Sequence, residues 1–281
     1  MKKSIILTGL LILSLLPAQA KKDPAKNFNG ITVASLNIRN SIANDGTNSW
    51  EFRAEAVINM IQDVAPDVLG LQEATELQNN MLDYFLDNYK YVGVGREDGR
   101  HKGEHMSIFY NKKTTSILKW GTFWLSETPD VPSKGWDAEC FRTATWALVK
   151  DKSTGKKYFV INTHLDHKGA EARANGLSLI IDRIASINPD KLPMVVMGDF
   201  NVTPDSPSLA PIRATMLNCR DIAAKTDDNA TAHDWGKHYS SIDYIWEKGF
   251  SSCIEYQTVT RPYSGHTFIS DHYPITAKLI F

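Results

Sequence analysis

The stretch MVVMGDFN, Met194 to Asn201, decides the architecture. Met194, Val195, Val196 and Met197 are apolar at consecutive positions, which implies a strand buried on both faces, as in a sheet sandwiched between helices. The run ends on Asp199 and Asn201. Polar groups at the end of a buried strand are costly unless a cation, a hydrogen-bond donor or water serves them.

The same design recurs along the chain. Apolar, β-rich runs at Ile31 to Ile38, Asp67 to Leu71, Met106 to Tyr110, Thr143 to Val149, Tyr158 to Thr163, Ile242 to Trp246 and Ile275 to Phe281 read as further strands. Helical spacing of apolar residues appears at Glu51 to Asp63, Glu76 to Leu86 and Ala170 to Ile187, helices that would cover the sheet faces. These alternations predict a layered α/β fold. Gly121 to Arg142, with Trp124, Trp136 and two prolines, reads as a long connection forming a wall of the site.

Polar residues break out where the strands end: Asn37 closes ITVASLN, Glu73 closes DVLGLQE, His164 and Asp166 close FVINTHLD, Asp243 sits in SIDYI, and Asp271 with His272 sits in SDHYP. One such carboxylate is an ordinary cap; six such segments are harder to dismiss. Asn, Glu and Asp oxygens with two His and no Cys partners favour Mg²⁺, Mn²⁺ or Ca²⁺ over zinc.

SLNIRN, LQEA, NTHLDH, GDFN, SIDYI and SDHYP, in this order, resemble the motif series of the endonuclease/exonuclease/phosphatase superfamily, over roughly Ile31 to Phe281. The resemblance implies a four-layer sandwich of two mixed β-sheets flanked by helices. It implies that Asn37, Glu73 and Asp271 bind the metal, that Asp199 orients or deprotonates the attacking water, and that Asn201 holds that water or a phosphate oxygen. It also implies that His164 and His272 contact the scissile phosphate, with Asp243 orienting His272. By the same resemblance, Glu104 in GEHMSIFY matches a carboxylate that partners the first His, and Arg142 in FRTATWA matches a phosphate-contacting Arg. His105 stands where some relatives carry a Tyr. These groups suit phosphoester hydrolysis, which requires charge neutralised on non-bridging oxygens, an activated water and help for the leaving oxygen.

Other candidates carry weaker signals. His167 and Lys168 read as solvated loop residues or substrate contacts, and His101, His233, His238 and His266 as surface or hydrogen-bonded His. Trp136 and Trp235 read first as packing residues, with stacking on a base or sugar ring the alternative.

The first twenty residues combine Lys2 and Lys3, an apolar run from Ile5 to Leu16 and the ending Ala18-Gln19-Ala20, the pattern of a signal peptide. The expected organisation is a signal segment at 1–20 and one catalytic domain at 21–281, secreted or periplasmic, monomeric and without a stable membrane anchor. Formal net charge is −1, so composition shows no strongly basic groove for long nucleic acid. Phosphoester substrates in general stay open, nucleic acids and nucleotides included. Cys140, Cys219 and Cys253 lack zinc-ligand spacing and read as small packed side chains, with one disulfide as the alternative. The expected activity is a metal-dependent phosphoester hydrolase. The competing readings are a sphingomyelin-type lipid phosphodiesterase, which needs an exposed apolar patch beside the metal, and an inactive scaffold, which predicts lost motif residues.

Overall fold

The computed structural model describes residues 28–281, so the signal segment lies outside the described residues. Among the described residues there are twelve strands: β1 (Gly30–Asn37), β2 (Val68–Ala74), β3 (Tyr89–Val92), β4 (His105–Asn111), β5 (Thr115–Trp124), β6 (Thr143–Asp151), β7 (Lys157–His164), β8 (Met194–Asp199), β9 (Leu217–Asn218), β10 (Asp243–Lys248), β11 (Ser252–Thr258) and β12 (Ile275–Ile280). The three long helices are α1 (Trp50–Val64), α2 (Glu76–Phe85) and α3 (Ala170–Ile187).

The strands form two six-stranded sheets, ordered β11-β12-β1-β2-β4-β3 and β5-β6-β7-β8-β10-β9. In each, the single parallel pair is central: β1 with β2, crossed over through α1, and β7 with β8, crossed over through α3. The neighbours β12, β4, β6 and β10 run antiparallel. That topology fixes where chemistry can gather. The C-terminal ends of β1, β2, β7 and β8 lie at the same edge as the N-terminal starts of β4, β6, β10 and β12.

The sheets pack face to face over Ile31, Val33, Val68, Ile108, Val160, Val195 and Met197, all fully buried. Helix α1 covers the outer face of the first sheet with Ala54, Val57, Met60 and Ile61, and α3 covers the second with Leu177, Ile180 and Ile184. The four-layer sandwich is thus present. Consecutive apolar positions in β8 follow from it, since this strand meets the other sheet on one face and α3 on the other.

A buried polar brace crosses the inter-sheet core. Asn162 accepts from Gln72 Nε2 at 2.6 Å and donates to the carbonyls of Leu71 and Ser107, while Gln72 also donates to Ser35 Oγ. Gly70 makes room for it, because a Cβ there would lie 2.8 Å from Asn162 Oδ1. The network fixes sheet registration directly beneath the strand ends, with Gln72 Oε1 left as its one buried amide oxygen without a partner.

Two expectations change. Gly121 to Trp124 is not connection but the end of β5, with Trp124 opposite Thr143 of β6, so the connection runs only from Leu125 to Arg142. Four strands had no clear signal in the sequence, β3, β5, β9 and β11, and these are the outer strands of the two sheets. No helix among the described residues is long and apolar enough to cross a membrane. All three cysteines are free thiols, Cys219 and Cys253 buried and Cys140 half-buried.

Candidate active site

Every strand-end residue singled out from the sequence arrives at that one edge. Asn37 ends β1, Glu73 lies at the end of β2, His164 ends β7 opposite Asp199 of β8, and Asp243 opens β10, again opposite Asp199. His272 stands just before β12 and forms a bridge with Ala232.

Asn37 sits at the centre. Its Nδ2 donates to Glu73 Oε1 and to Asp199 Oδ2, both at 3.0 Å, and its Oδ1 accepts from the Arg39 amide. Asp199 Oδ2 is also 3.4 Å from His164 Nε2 and 3.8 Å from His272 Nε2, while its Oδ1 accepts from the Asn201 amide. His272 Nδ1 is 2.9 Å from Asp243 Oδ2, which accepts in addition from Thr231 Oγ1 at 2.7 Å. Asp243 therefore fixes the ring so that Nε2 faces Asp199.

Local backbone supports this placement. Gly198 adopts φ 145°, and a Cβ there would lie 1.8 Å from the Thr163 carbonyl, so only glycine lets β8 approach β7 this closely. Arg39, Glu73 and Asn201 all adopt left-handed φ values of 57°, 59° and 54°. Glu73 does so inside a bulge between Leu71 and Ala74 that re-aims its side chain. Such strain is stored where the surroundings over-determine it. The Arg39–Ser41 turn is clamped by α2, whose capping box joins Thr75 and Gln78, as Gln78 also accepts from the Ser41 amide and donates to the Arg39 carbonyl.

The electrostatics are polarised. Burial pushes Asp199 up to about 7, with the neighbouring Asp243 charge adding to it. Burial opposes protonation of His272, but Asp243, Asp199 and Asp271 together raise it to about 10. His164 goes the other way, held well below its ordinary value by burial and then by Arg142 and Arg96. A neutral His164 is consistent with Asn201 Nδ2, which also donates to the Leu165 carbonyl, donating to Nε2 at 2.9 Å. One cationic and one neutral imidazole thus flank the same carboxylate.

The residue set fits a hard divalent cation. Burial pushes Asp271 up, and the Glu73 charge adds to it; Glu73 itself is lowered despite its burial by Asn37, His272 and Asn40. Buried carboxylates that repel one another in this way are relieved by a shared cation. Asn40 donates through its main-chain and side-chain N–H groups to Glu73 Oε2, and its own Oδ1 is buried without a partner. The donors are all oxygen. Asp199, Asp243 and His272 also bring ligand-type atoms within 4.8 Å of one another, but Nδ1 of His272 is already committed to Asp243, so this trio reads as an oriented His. A second such trio, Cys140, Asp166 and His167, is occupied differently. Asp166 accepts from the amides of Cys140, Lys168 and Gly169 and from Arg142 Nε at 3.3 Å, and although burial opposes it, backbone N–H groups hold it well below the usual carboxylate range.

Arg142 is buried beside this turn. Its Nη2 contacts His167 Nδ1 at 3.0 Å, and its Nη1 is buried without a partner, a spare donor suited to an anion. Glu104 departs from expectation. It pairs with Arg96 Nη1 at 2.5 Å, not with His164, whose Nδ1 has no partner. The reason lies in the loop between β3 and β4, where main-chain bonds from Arg96 to the Glu104 carbonyl and across Gly95 and His105 set the two side chains face to face. His233 is not a surface residue but fully buried, its ring 4.3 Å from Phe268 and 4.2 Å from Tyr273, with both ring nitrogens unpartnered. Sequence reading gave no role to Arg39, Asn40, Arg96 or Thr231; the first two lie inside SLNIRN and could have been flagged by adjacency to Asn37.

The family model for the Endonuclease/Exonuclease/phosphatase family matches residues 34–272. The chain is similar to the crystal structure of the endonuclease/exonuclease/phosphatase from Bacteroides vulgatus, with 37% identity and a TM-score of 0.84 over 89% of this chain and 98% of that one. It is also similar to mannosyl-6-phosphatase Bt3783 of Bacteroides thetaiotaomicron VPI-5482, with 34% identity and a TM-score of 0.85 over 90% and 100% of the two chains. Among curated proteins, L388 of Acanthamoeba polyphaga mimivirus, itself uncharacterized, is 32% identical over 165 residues, 54% of this chain and 59% of that protein. The match thus spans a little over half the length of that relative.

Proposed function

This chain belongs to the endonuclease/exonuclease/phosphatase family of metal-dependent phosphoester hydrolases, and we propose that it is an exported phosphatase of small sugar phosphates. The observation that carries the chemistry is the position of Asp199, hydrogen-bonded by Asn37 at 3.0 Å and flanked by His164 at 3.4 Å and His272 at 3.8 Å.

In this reading Glu73 and Asp271, with Asn37, hold a divalent cation, magnesium or manganese by donor type, which when bound neutralises charge on the phosphate oxygens. Asp199, pushed up to about 7, is matched to take a proton from water near neutral pH. Asn201 holds the water beside it. The water oxygen attacks phosphorus, the ester P–O bond breaks, and the leaving alkoxide takes up a proton. Cationic His272 stabilises a non-bridging oxygen, and Asp243 keeps it charged and oriented. Neutral His164, whose Nε2 accepts from Asn201 Nδ2, positions Asn201 beside the water without adding charge, and the spare Nη1 of Arg142 takes a phosphate oxygen.

Two things support a small sugar phosphate as the substrate: the mannosyl-6-phosphatase among the similar structures, covered end to end, and a net charge of −1, unsuited to gripping a polyanion. The lipid alternative is weaker. The exposed large apolar residues on the segments that carry site residues are Ile42, Leu77 and Tyr239, single side chains on three separate segments, where a lipid enzyme needs a contiguous docking patch. Export is supported by the Lys2–Ala20 pattern.

The test is release of orthophosphate from mannose 6-phosphate, glucose 6-phosphate and nucleotides, of acid-soluble nucleotides from a single-stranded oligonucleotide and of phosphocholine from sphingomyelin, after metal stripping and refilling with Mg²⁺ or Mn²⁺. Metal-dependent turnover led by the hexose phosphates is expected. Turnover confined to oligonucleotide or sphingomyelin would refute the substrate assignment while keeping the chemistry.

A further inference from the structure

At one edge of the sandwich the two sheets meet through a pair of cysteines. Cys219 follows directly on Asn218 of β9, which closes the second sheet, and Cys253 lies in β11, which opens the first. Both belong to the core between the sheets, at 0% and 3% exposure. Main-chain bonds set them there. Ala224 and Lys225 donate their amides to the carbonyls of Cys253 and Ile254 at 3.1 and 3.2 Å, and Tyr256 donates back to the Lys225 carbonyl at 2.8 Å. Ala223 in turn donates to the Cys219 carbonyl at 3.0 Å. The segment that follows β9 is thus strapped along β11, and across the strap the two thiols are hydrogen-bonded to one another. Cys253 also reaches the Glu255 carbonyl at 3.7 Å, at the register shift between Cys253 and Glu255.

A buried thiol packs as a small apolar group. For filling this space, any two small apolar side chains would serve; a covalent join is what only two sulfurs in contact can supply. Cys140 takes no part, since it lies beside Asp166 and His167.

We propose that Cys219 and Cys253 form a disulfide in the exported protein, a staple between the outer strands of the two sheets. The oxidising surroundings rest on the export reading above. Burial places the reaction during folding, before the sandwich closes over both sulfurs. One cysteine thiolate attacks a sulfur of a thiol–disulfide oxidoreductase, whose other sulfur leaves as thiolate. The second cysteine thiolate then attacks the chain's own sulfur in that mixed disulfide and displaces the oxidoreductase. The pair loses two protons and two electrons, and the carrier disulfide becomes a dithiol. The loop closed in this way contains Thr231 and Asp243, the groups that hold His272, so the staple secures that flank of the site.

The test has two arms. Reduced, unfolded mature protein is refolded in a buffer of oxidised and reduced glutathione, and the native protein is recovered from the extracytoplasmic fraction of the producing cell. Each is denatured, alkylated with and without dithiothreitol, and mapped by mass spectrometry. Without reductant Cys140 alone should be alkylated, with a cross-linked Cys219–Cys253 peptide; with it all three cysteines should react. Protein refolded in dithiothreitol should melt about 5–15 °C below the oxidised form, from the closure of a loop of this length. The double variant Cys219→Ala, Cys253→Ala should show no such dependence on reductant. Three alkylated cysteines in the unreduced refolded protein, a bridge through Cys140, or equal Tm values for the two forms would overturn the staple. A bridge in the glutathione arm, with the chain found only unprocessed and reduced in the cytoplasm, would support the pairing and overturn its formation by export.

Discussion

Replacing Asp243 by asparagine should convert His272 from a permanently cationic group into one that titrates within the working pH range. His272 is raised from 6.5 to about 10 against the opposing effect of burial, with Asp243 the foremost of the three carboxylates that raise it. That shift amounts to roughly 5 kcal/mol in favour of the charged ring. The introduced amide would keep a polar contact to Nδ1 but remove the charge, while burial continues to press the pKa down. The sign is set by the raised value. Wild-type His272 loses its charge only as pH rises through about 10, whereas in the variant the charge is lost on rising through the ordinary imidazole range. At pH 8 wild-type His272 is then about 99% cationic and the variant about 3% or less, a deficit of roughly thirtyfold that shrinks toward pH 5.5. The assay is kcat for orthophosphate release from pH 5.5 to 9 at saturating Mg²⁺, expressed as the variant to wild-type ratio, with the Asp199 titration, which in the variant loses the raising effect of the Asp243 charge, fitted as a separate ionisation. The ratio should climb steadily as pH falls. A ratio independent of pH would refute the argument that Asp243 acts by holding the charge on His272.

Other perturbations follow from the same geometry. Glu73→Gln should raise the Mg²⁺ concentration for half-maximal turnover by tenfold or more while leaving Tm of the metal-free protein within a few degrees; a metal titration showing no shift would remove Glu73 from the ligand set. Gly198→Ala would place a Cβ 1.8 Å from the Thr163 carbonyl at φ 145° and should destabilise the fold by more than about 3 kcal/mol, read as a lowered midpoint in urea; a midpoint near wild type would mean that β7 and β8 separate more easily than this register implies. Glu104→Gln and Arg96→Ala should lower kcat/KM to similar extents, with the double variant no worse than either alone, because Glu104 acts through Arg96. Additive losses in that cycle would restore a separate role for Glu104.

What was legible in the sequence, and what was not, divides along physical lines. Interior strands such as Met194–Asp199 are walled on both faces and must be apolar at consecutive positions, so they announce themselves. An outer strand is under no such constraint. TSILKWGTFW of β5 is buried only at its first and last two positions, exposed through its middle, and ends in aromatic residues that resemble loop anchors, while β9 is only two residues long. The strand-end polar residues were legible because a buried carboxylate has few inexpensive explanations. Partner choice was not, since it depends on how loops meet in space. Glu104 is claimed by Arg96 from across its own loop before it can reach His164, and nothing in TAHDWGKHY signals that His233 is enclosed by Phe268 and Tyr273.

The central claim, that Asp199 activates water for attack on a phosphoester, is tested most directly by turnover of the Mg²⁺-loaded Asp199→Asn protein on whichever substrate the wild type prefers. The amide keeps the shape and one of the two accepted hydrogen bonds, from Asn37 Nδ2 or from the Asn201 main chain, but cannot take the proton. If Asp199 is the base, kcat falls by about a thousandfold or more with KM and Tm little changed. A kcat within tenfold of wild type would contradict that role and move water activation to another group.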